Sequence, residues 1–119
     1  MPQTNLNGQR VLITQADAFM GPTLCEVFAE QGALVLADTA ALTASEAAGR
    51  IVAAAGRVDV LVANLALPAP STPAPEVTET EWREVFAALV DPLPRLCRAA
   101  LPQMIERRKG KILVLGSAS

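Results

Sequence analysis

Four stretches of this chain carry side chains with chemical use, and they lie far apart in sequence. Thr14 to Gly21 reads TQADAFMG and joins the apolar run RVLIT to a helix-like segment, PTLCEVFAEQG. Asp38 follows the run ALVLA, Asn64 follows VDVLVA, and Ser117 sits in GKILVLGSAS. A hydroxyl, a carboxylate and an amide can orient a ligand by hydrogen bonds. Ser117 is not expected to act as a nucleophile, because no base is placed to activate it. The chain has no His and no Tyr. The usual metal ligand and general base are thus both missing, and no metal site is expected.

The surrounding pattern supplies elements that would bring these residues together. Val11–Thr14, Ala33–Ala37, Val58–Ala63 and Lys111–Leu115 are short, β-branched runs without clean alternation. Strands covered on both faces read this way. Helical stretches alternate with them. The first spans Pro22 to Gln31, with Gly32 as a left-handed stop. The second starts at a capping box, Thr43-Ala-Ser-Glu46, and puts Ala44, Ala47, Ala48, Ile51, Val52 and Ala55 on one face before Gly56 ends it. The third starts near a second box, Thr78 to Glu81, and runs to about Arg107, with kinks or short breaks at Pro92, Pro94 and Pro102. A proline-rich loop, LPAPSTPAP, covers Leu67–Pro75. Such alternation predicts a parallel sheet with right-handed crossovers. Ligands of such sheets bind beyond the carboxyl ends of the strands. Thr14–Gly21, Asp38, Asn64 and Ser117 all map to that rim.

Composition narrows the partners. The chain has 119 residues, 51% of them hydrophobic, and a net charge of −2. That balance gives no electrostatic case for nucleic acid or an anionic membrane. No apolar run approaches the roughly 20 residues of a membrane span. The polar start, MPQTNLNGQR, is not a signal peptide. A cytoplasmic protein is expected, with Cys25 and Cys97 as reduced core residues.

From about Gln9 to the last residue, the chain resembles the N-terminal half of a short-chain dehydrogenase/reductase. The family's turn T-G-x-x-x-G-x-G falls on Thr14 to Gly21, its acidic residue on Asp38, and its D-x-L-V-N-N-A-G strand on DVLVANLA. LPQMIERRKGKILVLGSAS resembles the family's helix and fifth strand, with Ser117 at the catalytic serine. The resemblance implies an α/β, Rossmann-like parallel sheet with helices on both faces, truncated after the family's fifth strand. Residues 1–119 are thus expected to be one incomplete domain.

Three departures touch the cofactor or its proton relay. Gln15 and Phe19 replace the first two glycines of the turn, leaving only Gly21. Those glycines allow positive φ and a close backbone approach to a pyrophosphate. Ala66 ends the N-N-A-G segment, and Leu89 falls where a relay Asn belongs. The segment between Asp38 and Val58 is also short, with room for one helix and a residue or two of strand. The halohydrin dehalogenases show this pattern, with a turn T-x4-F/Y-x-G that Thr14, Phe19 and Gly21 match. Resemblance to that branch implies, for the parent enzyme, interconversion of vicinal halohydrins and epoxides with no nucleotide cofactor and a halide pocket beside Phe19 in place of the nicotinamide. An NAD(P)-dependent oxidoreductase with a degraded glycine motif is the alternative, in which Asp38 binds a ribose hydroxyl. A non-catalytic binding or oligomerisation remnant is the third.

Plainer roles stand beside these. Phe19 can pack under the turn, Asp38 can be a solvated strand-end carboxylate, and Asn64 can tie strand ends together. Trp82 is expected to anchor the long helix, and Glu106–Lys109 to be its solvated end. The family's chemistry needs S-x12-Y-x3-K, or Arg in the dehalogenases. With no Tyr, the chain is expected to be a fragment of a longer enzyme. That parent takes a small-molecule substrate and forms a homo-oligomer through the 81–107 helix.

Overall fold

The computed structural model describes residues 5–67 and 72–116. Four parallel strands stand in the order β2-β1-β3-β4: β1 is Arg10–Ile13, β2 Leu34–Ala37, β3 Val60–Asn64 and β4 Lys111–Leu115. Their register puts Leu12 between Leu36 and Leu61, and Val62 beside Leu113. Side chains alternate across a strand, so each inner strand feeds two cores. Val11, Ile13, Val60 and Val62 pack on one face with Leu24, Cys25 and Phe28 of α1 (Gly21–Glu30). Leu12, Leu61 and Ala63 pack on the other with α2 (Ala47–Ala55) and α4 (Pro92–Arg107). The expected Rossmann-like sheet with helices on both faces is what forms. Continuous apolar runs mark the inner strands, β3 being buried along its whole length and β1 at all but its first residue, whereas β2 and β4 are half-buried or exposed and not covered on both faces as expected.

Chain order creates the functional rim. The chain lays β2 on one side of β1 and then β3 on the other. The strand order therefore reverses between β1 and β3, and a crevice opens at their carboxyl ends.

Several local expectations change. The capping box at Thr43 does not form; α2 begins at Ala47, with no side-chain cap at Glu46, and Ala44 stays outside it, exposed. No strand forms at Ala41–Thr43. Thr78 does cap α3 (Glu79–Leu89), accepting the Glu81 N–H at 3.1 Å. The long third helix divides at Val90–Asp91, because Pro92 offers no N–H to continue the ladder and instead suits the first turn of α4. Pro102 sits inside α4 without ending it. Trp82 is not buried: it is 55% exposed and stacks on Phe86 with ring centroids 4.8 Å apart. Cys25 and Cys97 are free and half-buried, and desolvation raises the Cys25 thiol pKa. Among the described residues, no helix is long and apolar enough to cross a membrane.

A polar clamp sets the amino ends of the strands. Asp59 accepts the Arg10 N–H at 2.7 Å and pairs with Arg57 at 3.4 Å and Arg107 at 3.8 Å. Arg107 also donates to the Val58 carbonyl and to Gln103, both at 2.9 Å, so the end of α4 is a structural contact and not merely solvated. Gln103 in turn accepts the Val58 N–H at 2.8 Å. Asp59 is the hub, because one carboxylate serves three elements. Asp59→Ala is expected to lower stability by about 2 kcal/mol, read as a fall of roughly 5–10 °C in Tm by circular dichroism. An unchanged Tm would show that the clamp contributes nothing net.

Candidate functional site

At the carboxyl end of β1 the turn to α1 is held by bonds from two neighbouring strands. Thr14, fully buried, donates its N–H to the Val62 carbonyl at 3.1 Å. Its hydroxyl accepts the Asn64 N–H at 3.0 Å and lies 3.2 Å from the Asn64 carbonyl, to which it can donate. The Asn64 side chain reaches back into the turn, its Nδ2 donating to the carbonyls of Gln15 at 3.0 Å and Ala18 at 2.9 Å. From β2, the Asp38 carbonyl accepts the Ala16 N–H at 2.8 Å. Thr14 and Asn64 thus tie strand ends and turn together. Asn64 Oδ1 is buried without a partner among the described residues.

The turn's backbone shape is that of a glycine turn. Gln15 has φ 45° and Phe19 φ 50°, so the left-handed conformation persists at the two positions where glycine is replaced. A residue with a Cβ there costs roughly 1–2 kcal/mol. Gly21 is required for a different reason. A Cβ on it would overlap the backbone carbonyl of Ala16, which has no room to yield. The turn thus takes a glycine-type backbone with side chains at both left-handed positions, and is strained.

The other candidate residues fall at varied places. Phe19 lies on the rim with 51% of its surface exposed, and so does not wall off an enclosed pocket. Asp38 follows β2 directly; its Oδ1 accepts the Ala40 N–H at 2.8 Å, leaving the other oxygen without a partner among the described residues. Ser117 lies outside the described residues. α1 opens at the crevice with no side-chain cap and no acidic residue in its first turn. The Gly21 N–H is bonded to the Ala18 carbonyl at 2.8 Å and the Leu24 N–H to the Met20 carbonyl at 2.9 Å, and Pro22 has no N–H, so the Thr23 N–H and the helix dipole are what this end offers an anion. Among the described residues, no group of three or more His, Cys, Asp or Glu is arranged to hold a metal ion.

Sequence reading missed one participant. Gln15 registered only as a lost glycine, yet its side-chain Oε1 accepts the Ala66 N–H at 2.9 Å. The available signal was that both partners replace glycines of the same motif set.

Comparison with known proteins gives a consistent picture. Residues 37–119 match the family described as short chain dehydrogenase. The 2-keto-3-deoxy-L-fuconate dehydrogenase of Xanthomonas campestris is 34% identical over an alignment of 138 residues, covering 99% of this chain and 46% of the relative. The structure of gox2181 superposes with TM-score 0.86 at 21% identity over 96% of this chain and 55% of that one. A structure described as a dehalogenation enzyme superposes with TM-score 0.84 at 26% identity over 95% of this chain and 55% of that one. The chain spans about half the length of the proteins it matches.

These matches correct one expectation. A site without nucleotide cofactor, with a halide pocket in place of the nicotinamide, is not supported: the matched family and the curated relative are dehydrogenases, and dehydrogenation requires a hydride carrier. The physical reason the sequence misled is the turn itself. Glycine replacement suggested a changed loop, but Gln15 and Phe19 still adopt positive φ, the backbone that glycine favours.

Two substitutions separate these roles. Gly21→Ala is expected to destabilise by about 2–3 kcal/mol through overpacking against backbone. Phe19→Gly, which relieves strain, is expected to unfold at the same urea midpoint as wild type or above it. The reverse ranking would show that φ at position 19 is not strained.

Proposed function

The chain belongs to the short-chain dehydrogenase family, and from that premise we propose an NAD(P)-dependent oxidoreductase acting between a carbonyl and a secondary alcohol on a small polyhydroxylated acid. The observation that carries this reading is the glycine-type turn, with positive φ at Gln15 and Phe19, leading into the uncapped start of α1 at the strand-order reversal. The substrate class follows from the sugar-acid dehydrogenase among the relatives.

The bound nicotinamide would supply or accept the hydride. The chain's own residues bind and orient. The start of α1, with its dipole and the Thr23 N–H, would face the pyrophosphate charge. The free carboxylate oxygen of Asp38 would accept a hydrogen bond from a ribose hydroxyl. Thr14 and Asn64 hold the strand ends at fixed separation, so that the crevice is preformed. Ser117 donates a hydrogen bond to the substrate oxygen. With neither Tyr nor His among the 119 residues, the proton is not handled by those side chains within this stretch. The exposed Trp82–Phe86 pair on α3 supports association of copies through residues 81–107.

A second reading, ring closure of a vicinal halohydrin to an epoxide, is supported by the structural likeness to the dehalogenation enzyme. Titration with NADH and NADPH, followed by nicotinamide fluorescence, decides between them. Saturable binding in the micromolar range, weakened about tenfold in Asp38→Ala for NADH, is the expected result. A flat titration together with halide release from a vicinal halohydrin would replace the first reading with the second.

A further inference from the structure

We infer that the Gln15 side chain is a latch across the crevice between β1 and β3, setting how tightly that crevice takes a dinucleotide. The inference rests on the dinucleotide reading above and concerns a side chain to which that reading gives no role. Gln15 follows the end of β1 by two residues, and Ala66 follows the end of β3 by two. These are the neighbouring strands between which the order reverses. The 2.9 Å bond from the Ala66 N–H to Gln15 Oε1 therefore closes the mouth of the crevice from one wall to the other.

Three features make this a latch and not ordinary loop packing. The bond joins two positions 51 residues apart, so it forms only when both strand ends are in place. The Gln15 main chain is held independently, through its carbonyl by Asn64 Nδ2. Releasing the side chain hence leaves the turn anchored. The left-handed φ of 45° at Gln15 also carries strain that the side-chain bond offsets in the empty protein. A dinucleotide lying in the crevice must displace the side chain and break a partly buried bond. That lowers affinity without altering the groups that contact the phosphates.

Gln15→Gly and Gln15→Ala separate the side chain from the backbone. Both remove the latch, while only glycine also removes the strain. Each is titrated with NADH beside wild type, and hydrogen exchange at the Ala66 amide is followed without ligand. Binding roughly fivefold tighter in both variants, with faster exchange at Ala66, is the expected result, the factor being that of one net hydrogen bond. Equal affinity in wild type and Gln15→Gly would overturn the latch and leave the dinucleotide reading standing. No binding in any of the three proteins would overturn both. If Gln15→Ala fails to fold, Gln15→Gly alone still decides, because it tolerates the observed φ.

Discussion

The site depends on the pinning of the β1 turn by Asn64. A turn carrying two non-glycine residues at positive φ is under strain, and an unsupported loop of this kind would relax. Asn64 prevents this with two side-chain donors on the carbonyls of Gln15 and Ala18. Thr14 fixes Asn64 in turn through its hydroxyl. Both residues are buried, so leaving these bonds unmade would strand buried polar groups. The crevice at the strand-order reversal has a defined shape because these two buried polar residues hold one of its walls to the other.

The rest of the fold serves that arrangement. β3 supplies both the register of the sheet and, at its last residue, Asn64 itself. Its amino end is set by the Asp59 clamp and its body by burial against helices on both faces. Polar contacts thus gather at the two ends of the central strands, with an apolar body between them. This division lets the rim carry strained and polar residues without disturbing the core. It also explains how the turn tolerates the loss of two glycines: roughly 1–2 kcal/mol per residue of strain is small beside the burial of two apolar clusters.

The chain spans about half the length of its relatives, and its inner strands form the crevice at the strand-order reversal. Its outer strands, β2 and β4, carry exposed apolar side chains at Leu34, Leu113 and Val114.

Particular residues show what was legible beforehand. The continuous apolar runs around Leu12 and Leu61 determined a doubly covered parallel sheet, because burial on both faces leaves no room for polar alternation. Their alternation with helical stretches, and the placing of Thr14, Asp38 and Asn64 at strand ends, followed from composition and periodicity alone. The state of the turn did not. Residue types at 15 and 19 say that glycine is absent but not whether the backbone gives way or is held, because that depends on Asn64, about fifty residues away. The unformed cap at Thr43, the exposure of Trp82 and the Gln15–Ala66 bond were hidden for the same reason. Local sequence determined which elements form and which faces they bury; only tertiary contact decided which polar groups meet, since each such pair is made by chain segments that are neighbours in space and strangers in sequence.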